Sequence, residues 1–131
     1  MATFCVDQGL DITTARLRSV GTEPLNIGWG TGAGTTAATD TTLFTERTVD
    51  LTVSGGTDHT VGTSSQVTTT TTDDTYQVTG TRTATGAGTV TNAGLFDAAS
   101  GGLLYMKGDF TGIGLSVNDS IAFTFKVQYT N

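Results

Sequence analysis

The fold this sequence predicts is all-β, an antiparallel β-sandwich with at most one short helical turn near residues 37–46, and three observations carry that expectation. Threonine fills roughly a quarter of the 131 residues and glycine takes 18 of them. β-Branched threonine packs well on a pleated surface, while glycine supplies tight turns. Apolar residues recur with a period of two in several short segments, the mark of half-buried strands. Turn signals separate these segments at intervals of roughly 8–12 residues, as in sandwiches and barrels.

Residues 1–24 hold Thr3, Phe4, Val6, Leu10, Ile12 and Leu17 without a sustained period and read as an N-terminal arm or a first strand. The remainder, 25–131, reads as the sandwich domain. Leu25, Ile27 and Trp29 alternate as one face of a short strand, and glycines recur at Gly28, Gly30, Gly32 and Gly34. Residues 35–46 carry Ala37, Ala38, Leu43 and Phe44, with Asp40 able to cap a helical turn, and read as a connection anchored by apolar side chains. From Glu46 the period becomes two, with Val49, Leu51 and Val53 on one face until Ser54-Gly55-Gly56 ends the strand.

A threonine-rich hairpin follows: residues 61–72 turn at Asp73-Asp74 into a strand over 76–82. Gly86-Ala87-Gly88 turns into a strand over 89–97, and a loop at 98–102 leads to another over 103–110. Residues 111–117 cross over and Asn118-Asp119 turns. Ile121, Phe123, Phe125, Val127 and Tyr129 then alternate with Ala122, Thr124, Lys126 and Gln128, the clearest strand pattern in the chain.

The apolar fraction is 36%, much of it alanine and valine, so a thin core completed by neighbouring subunits is expected. A formal net charge of -6 with six lysines and arginines leaves no continuous basic stripe, which argues against nucleic acid as a partner. No stretch approaches the ~18 apolar residues of a membrane span, and no apolar leader opens the chain, so no membrane partner is expected. The lone Cys5 makes no internal disulfide and fits a reducing cytoplasm.

No pattern of catalytic residues is visible. The run Gly28–Gly34 lacks the lysine of a phosphate loop and the third glycine of a dinucleotide fingerprint, and reads as a glycine-rich surface loop. His59 follows a Gly-Gly turn and reads as an exposed loop residue with no partner at a catalytic spacing. Asp73-Asp74 and the Asp7, Asp11 pair lack calcium-loop spacing. One histidine and one cysteine are too few for a zinc site. The expectation is therefore no catalytic residue, no metal and no cofactor. Trp29 with Tyr76, Tyr105 and Tyr129 is a candidate sugar-stacking platform, although core packing is the commoner use of strand aromatics.

Two stretches together carry a family resemblance. The first is Ile27-Gly28-Trp29-Gly30-Thr31-Gly32 with Thr35-Thr36-Ala37-Ala38-Thr39-Asp40-Thr41, Leu43 and Thr45-Glu46. The second is Thr91-Asn92-Ala93-Gly94-Leu95-Phe96-Asp97 with the terminal strand from Asn118-Asp119-Ser120-Ile121. Over about residues 25–129 the chain resembles small virion structural proteins of tailed bacteriophages, of the capsid decoration (cement) type.

The resemblance implies a β-sandwich, often of jelly-roll type, made in the host cytoplasm and assembled on the capsid exterior. It implies the major capsid protein as partner, a homotrimer as the assembly, and no enzyme activity. The expected capsid contacts are Thr3, Phe4, Leu10, Ile12, Arg16 and Arg18, and the expected subunit contacts are Val78 and Arg82. The alternative is a tail-associated or receptor-binding module in which Trp29, Tyr76 and His59 bind glycans.

Overall fold

The structure, a computed structural model, describes residues 2–131; residue 1 of the N-terminal segment lies outside the described residues. Along the chain run β1 (Thr3–Cys5), the helix α1 (Asp7–Leu17), β2 (Asn26–Gly30), β3 (Glu46–Arg47), β4 (Thr60–Val61), β5 (Thr63–Val67), β6 (Thr75–Thr83), β7 (Gly88–Phe96), β8 (Leu104–Leu115) and β9 (Ser120–Gln128). The larger, six-stranded sheet has the order β1-β8-β7-β2-β3, with β4 also on β2; the smaller, three-stranded one has the order β5-β6-β9. Neighbouring strands are antiparallel throughout both sheets. This is the all-β sandwich that the period-two segments predict. Its division into six and three strands does not by itself establish a jelly roll.

Apolar side chains from both sheets meet between them. Ile27 and Trp29 of β2, Val90, Ala93 and Leu95 of β7, and Tyr105 and Met106 of β8 pack with Val78 of β6 and Phe125 of β9. A second, smaller cluster of Val6, Leu43, Phe96 and Leu104 forms apart from this core. Leu95 and Phe96 are adjacent in sequence and so point to opposite faces of β7, which places one in each cluster. The larger sheet is thus covered on both faces.

The glycines of β2 explain how that second covering fits. While Ile27 and Trp29 enter the core, a Cβ on Gly28 would come within 2.8 Å of the His59 ring, and one on Gly30 within 2.9 Å of Asn92 Nδ2. The chain around Phe44 lies directly on the strand there. Phe44 N donates to Asn92 Oδ1 at 3.0 Å and Asn92 Nδ2 donates to the Phe44 carbonyl at 3.0 Å. Gly28 and Gly30 are therefore strand residues beneath a packed loop, which corrects the surface-loop reading of the glycine run.

Three further expectations are corrected. The helical segment is α1, at Asp7–Leu17, while residues 37–46 form turns without a helix. Asp40 caps there, but locally: its carboxylate accepts from Ala37 N at 3.1 Å. The strand predicted from Glu46 to Val53 ends at Arg47, because Asp50 Oδ1 accepts from Thr52 N at 3.0 Å and from Thr52 Oγ1 at 2.6 Å and folds the chain into a turn. Leu51 is still buried, but Val53 is exposed. Residues 111–115, expected to cross over, instead prolong β8.

The threonine run also departs from a plain hairpin. Only Thr63–Val67 pairs with β6, and the chain from Thr68 wraps around Asp74. Its carboxylate accepts from the amides of Thr69 (2.9 Å), Thr70 (3.1 Å) and Thr71 (3.0 Å). The Thr71 amide foremost, with the others, holds this carboxyl well below the usual carboxylate range. No helix among the described residues is long and apolar enough to cross a membrane.

Candidate binding groove

Helix α1 builds the site. Its sequence is only weakly amphipathic in the ordinary sense, because the face toward β8 is made by Gly9 and Ile12. Gly9 brings the helix onto the Tyr105 carbonyl of β8, where any Cβ would collide. Thr13 Oγ1 donates back to the Gly9 carbonyl at 2.8 Å. The helix ends where Ser19 and Gly21 take positive φ angles of 61° and 74°. Val20 N donates to the Ala15 carbonyl at 3.0 Å, and Arg16 Nη1 to the Gly21 carbonyl at 3.0 Å. This hairpin-like return sends Glu23 and Pro24 back beside the helix.

Between them lies a groove of about 600 Å³, lined on the helix side by Ile12, Thr13, Arg16 and Leu17 and across from it by Gln66, Tyr76, Tyr105 and Tyr129. Three strands or strand ends each supply one tyrosine. Tyr76 and Tyr105 meet edge to face, with ring centroids 6.1 Å apart and planes at 87°. The Tyr105 and Tyr129 hydroxyls share a hydrogen bond of 2.7 Å, and the Tyr76 hydroxyl reaches the Pro24 carbonyl at 3.0 Å and Glu23 Oε1 at 3.2 Å. Burial, and then the charge of Glu23, pushes the Tyr76 phenol above its ordinary value; burial, and then the bond to Tyr129, does the same for Tyr105. Both stay neutral phenols. The groove therefore offers aromatic surface and hydroxyls, with one cation and one carboxylate at its wall, in the size range of small-ligand clefts.

Comparison with known protein families, with curated proteins and with solved structures returned no match to this chain. One consequence of the groove's geometry concerns the tyrosine pair. Tyr129→Phe is expected to cost about 1 kcal/mol, because the buried Tyr105 hydroxyl loses its partner. Tyr105→Phe is expected to cost less through the bond itself, since half-exposed Tyr129 can turn its hydroxyl to water. Urea unfolding of the two variants checks that order.

The residues singled out by sequence divide sharply. Thr3 and Phe4 are exposed on β1, Leu10 is exposed on α1, Arg18 is exposed at its C-terminus, and Arg16 lines the groove. Ile12, at 4% exposure, is the floor of the groove and no surface contact, because it is the side chain by which α1 anchors to the core. Val78 and Arg82, expected at subunit contacts, are 0% and 1% exposed inside the monomer. They are corrected to core residues.

The glycan platform of Trp29, Tyr76 and His59 is corrected in the same way. Trp29 is fully buried, and its Nε1 donates to the Thr48 carbonyl at 2.8 Å. The His59 side chain is sealed from solvent, stacked on Phe96 at 4.0 Å, with Nδ1 2.8 Å from the Ala98 carbonyl and Nε2 2.7 Å from Glu46 Oε1. It is not the exposed loop residue its sequence context suggested. Tyr76 alone of the three reaches the groove. Among the described residues no three His, Cys, Asp or Glu side chains cluster to hold a metal ion.

Proposed function

We propose that this chain is a bacteriophage capsid decoration protein, which binds the outer surface of the head as an oligomer and holds adjacent subunits of the major capsid protein together. The observation that supports the reading most directly is the apolar display on the N-terminal segment. Leu10 and Leu17 are 61% and 81% exposed and lie seven residues apart, so they share one stripe of α1. Phe4 of β1 and Val20 beyond the helix are further exposed apolar residues of the same N-terminal segment. A helix that exposes two leucines on one stripe is suited to a protein partner. Several such contacts, each modest, gain strength when linked in one oligomer.

Binding of the purified protein to particles stripped of small surface proteins tests the proposal, with copies bound per particle as the readout. Saturation at a lattice-like copy number is expected, and the double variant Leu10→Asp/Leu17→Asp should weaken binding by at least about tenfold, since burying one leucine is worth about 1.5–3 kcal/mol. A handful of copies, or none, would sink the proposal. The groove of Tyr76, Tyr105 and Tyr129 favours a second reading, a tail-associated module that stacks glycans; there, Tyr129→Ala would abolish saccharide binding.

A further inference from the structure

The smaller sheet ends on β9, a nine-residue strand that pairs, among the described residues, with β6 alone. Along its outer edge alternate backbone amides and carbonyls have no strand to meet, which makes it a template for one more strand. We infer that this strand is a second copy of β9, joined antiparallel about a two-fold axis through Thr124.

The sequence of β9 is its own complement under reversal. Read about Thr124, Ser-Ile-Ala-Phe-Thr-Phe-Lys-Val-Gln places Phe123 opposite Phe125 of the second copy, Ile121 opposite Val127, Ala122 opposite Lys126, and Ser120 opposite Gln128. Apolar residues thus meet apolar residues on the core-facing side, where Ile121, Phe123 and Val127 are still only partly buried. Aromatic and β-branched cross-strand pairs of this kind stabilise sheets. Isologous pairing of one patch with itself is also the commonest symmetry of homo-oligomers.

Charge selects this occupant and this register. In a chain of net charge -6, β9 carries no carboxylate, so two copies can approach here without acid facing acid. Its single charge, Lys126, falls opposite neutral Ala122. A shift by two residues toward the C-terminal end would bring each Lys126 opposite Thr124 and shorten the overlap; a shift by four would oppose the two lysines directly. The other open edges fit less well. β5 is five residues long, with Val67 its sole apolar residue, and the outer part of β8 is interrupted by Gly112 and Gly114.

Sedimentation equilibrium over a range of concentrations tests the inference. The native chain is expected to sediment as two copies. Ala122 is exposed, so Ala122→Lys leaves the monomer fold intact while placing lysine opposite Lys126; it should raise the dimer dissociation constant at least tenfold, roughly. Ala122→Lys/Lys126→Glu should restore pairing, and Ala122→Glu should tighten it. In a Cys5→Ser background, Thr124→Cys should cross-link on oxidation, because directly opposed residues lie within the span a disulfide bridges. A monomer at every concentration would overturn the inference. So would a dimer, or the trimer that the family resemblance implies, if it were indifferent to Ala122→Lys and gave no Thr124→Cys cross-link.

Discussion

Replacing Arg82 by alanine is expected to destabilise the fold by about 3–5 kcal/mol, because several acceptors inside the protein lose their donor at once and a cavity opens beside Trp29. Arg82 stands on β6 at 1% exposure, with its guanidinium 5.0 Å from the Trp29 ring centroid. From Nη1 it donates to the Ile27 carbonyl (3.2 Å) and Thr60 Oγ1 (2.9 Å), and from Nη2 to the carbonyls of Arg47 (3.3 Å) and Asp58 (2.9 Å). Those acceptors come from β2, the end of β3, β4 and the loop before it. One side chain therefore ties the strand edge of the larger sheet to the smaller sheet. Its Nε has no partner among the described residues, and burial lowers its affinity for the proton, so the site is costly to maintain and costlier to empty. Arg82→Met separates the two parts of the effect: it retains much of the volume over Trp29 but orphans the same acceptors, so most of the loss should persist. Equilibrium urea unfolding at fixed protein concentration measures it. A loss below about 1 kcal/mol in both variants would mean that water reaches those carbonyls.

Arg82 also shows what the sequence can and cannot disclose. It shares parity with Val78, and the two are expected together at a subunit contact, yet both are buried inside the monomer. That the two share a face is legible from parity; that the face turns inward is not, because one of its side chains carries a charge. Where alternation is clean, as in Ile27 with Trp29 or Ile121 through Val127, strand and facing are both legible, because a pleated strand with one buried face permits one phase. The strand expected after Glu46 had the same alternation, but Asp50 offered its amides a turn, and a local side-chain bond prevailed over period.

The groove was less legible than the fold because its wall is a helix without a helical apolar period. Leucines at positions 10 and 17 point outward, while the inward face relies on Gly9, whose contribution is the absence of a side chain. A search for apolar side chains at helical spacing is blind to that kind of contact. The three tyrosines are legible as candidate aromatics, but their meeting depends on β6, β8 and the end of β9 being brought together, and the facing wall on Glu23 and Pro24, a long-range arrangement that no local pattern encodes. Trp29 and His59 fail as ligand residues for the opposite reason: Trp29 lies in the core between the sheets, and His59 is enclosed by Phe96, Ala98 and Glu46.

A second large effect is expected at Lys107, and it should be asymmetric. Lys107 is fully buried on β8, donating to Asp40 Oδ2 at 2.8 Å and to the Thr42 carbonyl at 2.9 Å, with Nζ 3.3 Å from the centroid of the Phe44 ring. Asp40 is less enclosed, its side chain 22% exposed. Asp40→Asn removes the counter-charge from an ammonium that water does not reach, and should cost about 3–5 kcal/mol. Lys107→Met leaves a carboxylate that retains the Ala37 amide and some solvent, and should cost less. The double variant Lys107→Met/Asp40→Asn should then be more stable than Asp40→Asn alone, because a buried charge without a partner is worse than no charge. The pair also sets an acid limit. The Lys107 hydrogen bond foremost holds the Asp40 carboxyl below its ordinary 3.8, so its contribution is complete above that value and is lost as pH falls through the lower, folded one. Unfolding midpoints measured from pH 6 down to about pH 2 should therefore fall less steeply for the double variant than for the native chain. Parallel slopes, or a double variant no more stable than Asp40→Asn, would show that the ammonium is not what holds this loop to the sheet.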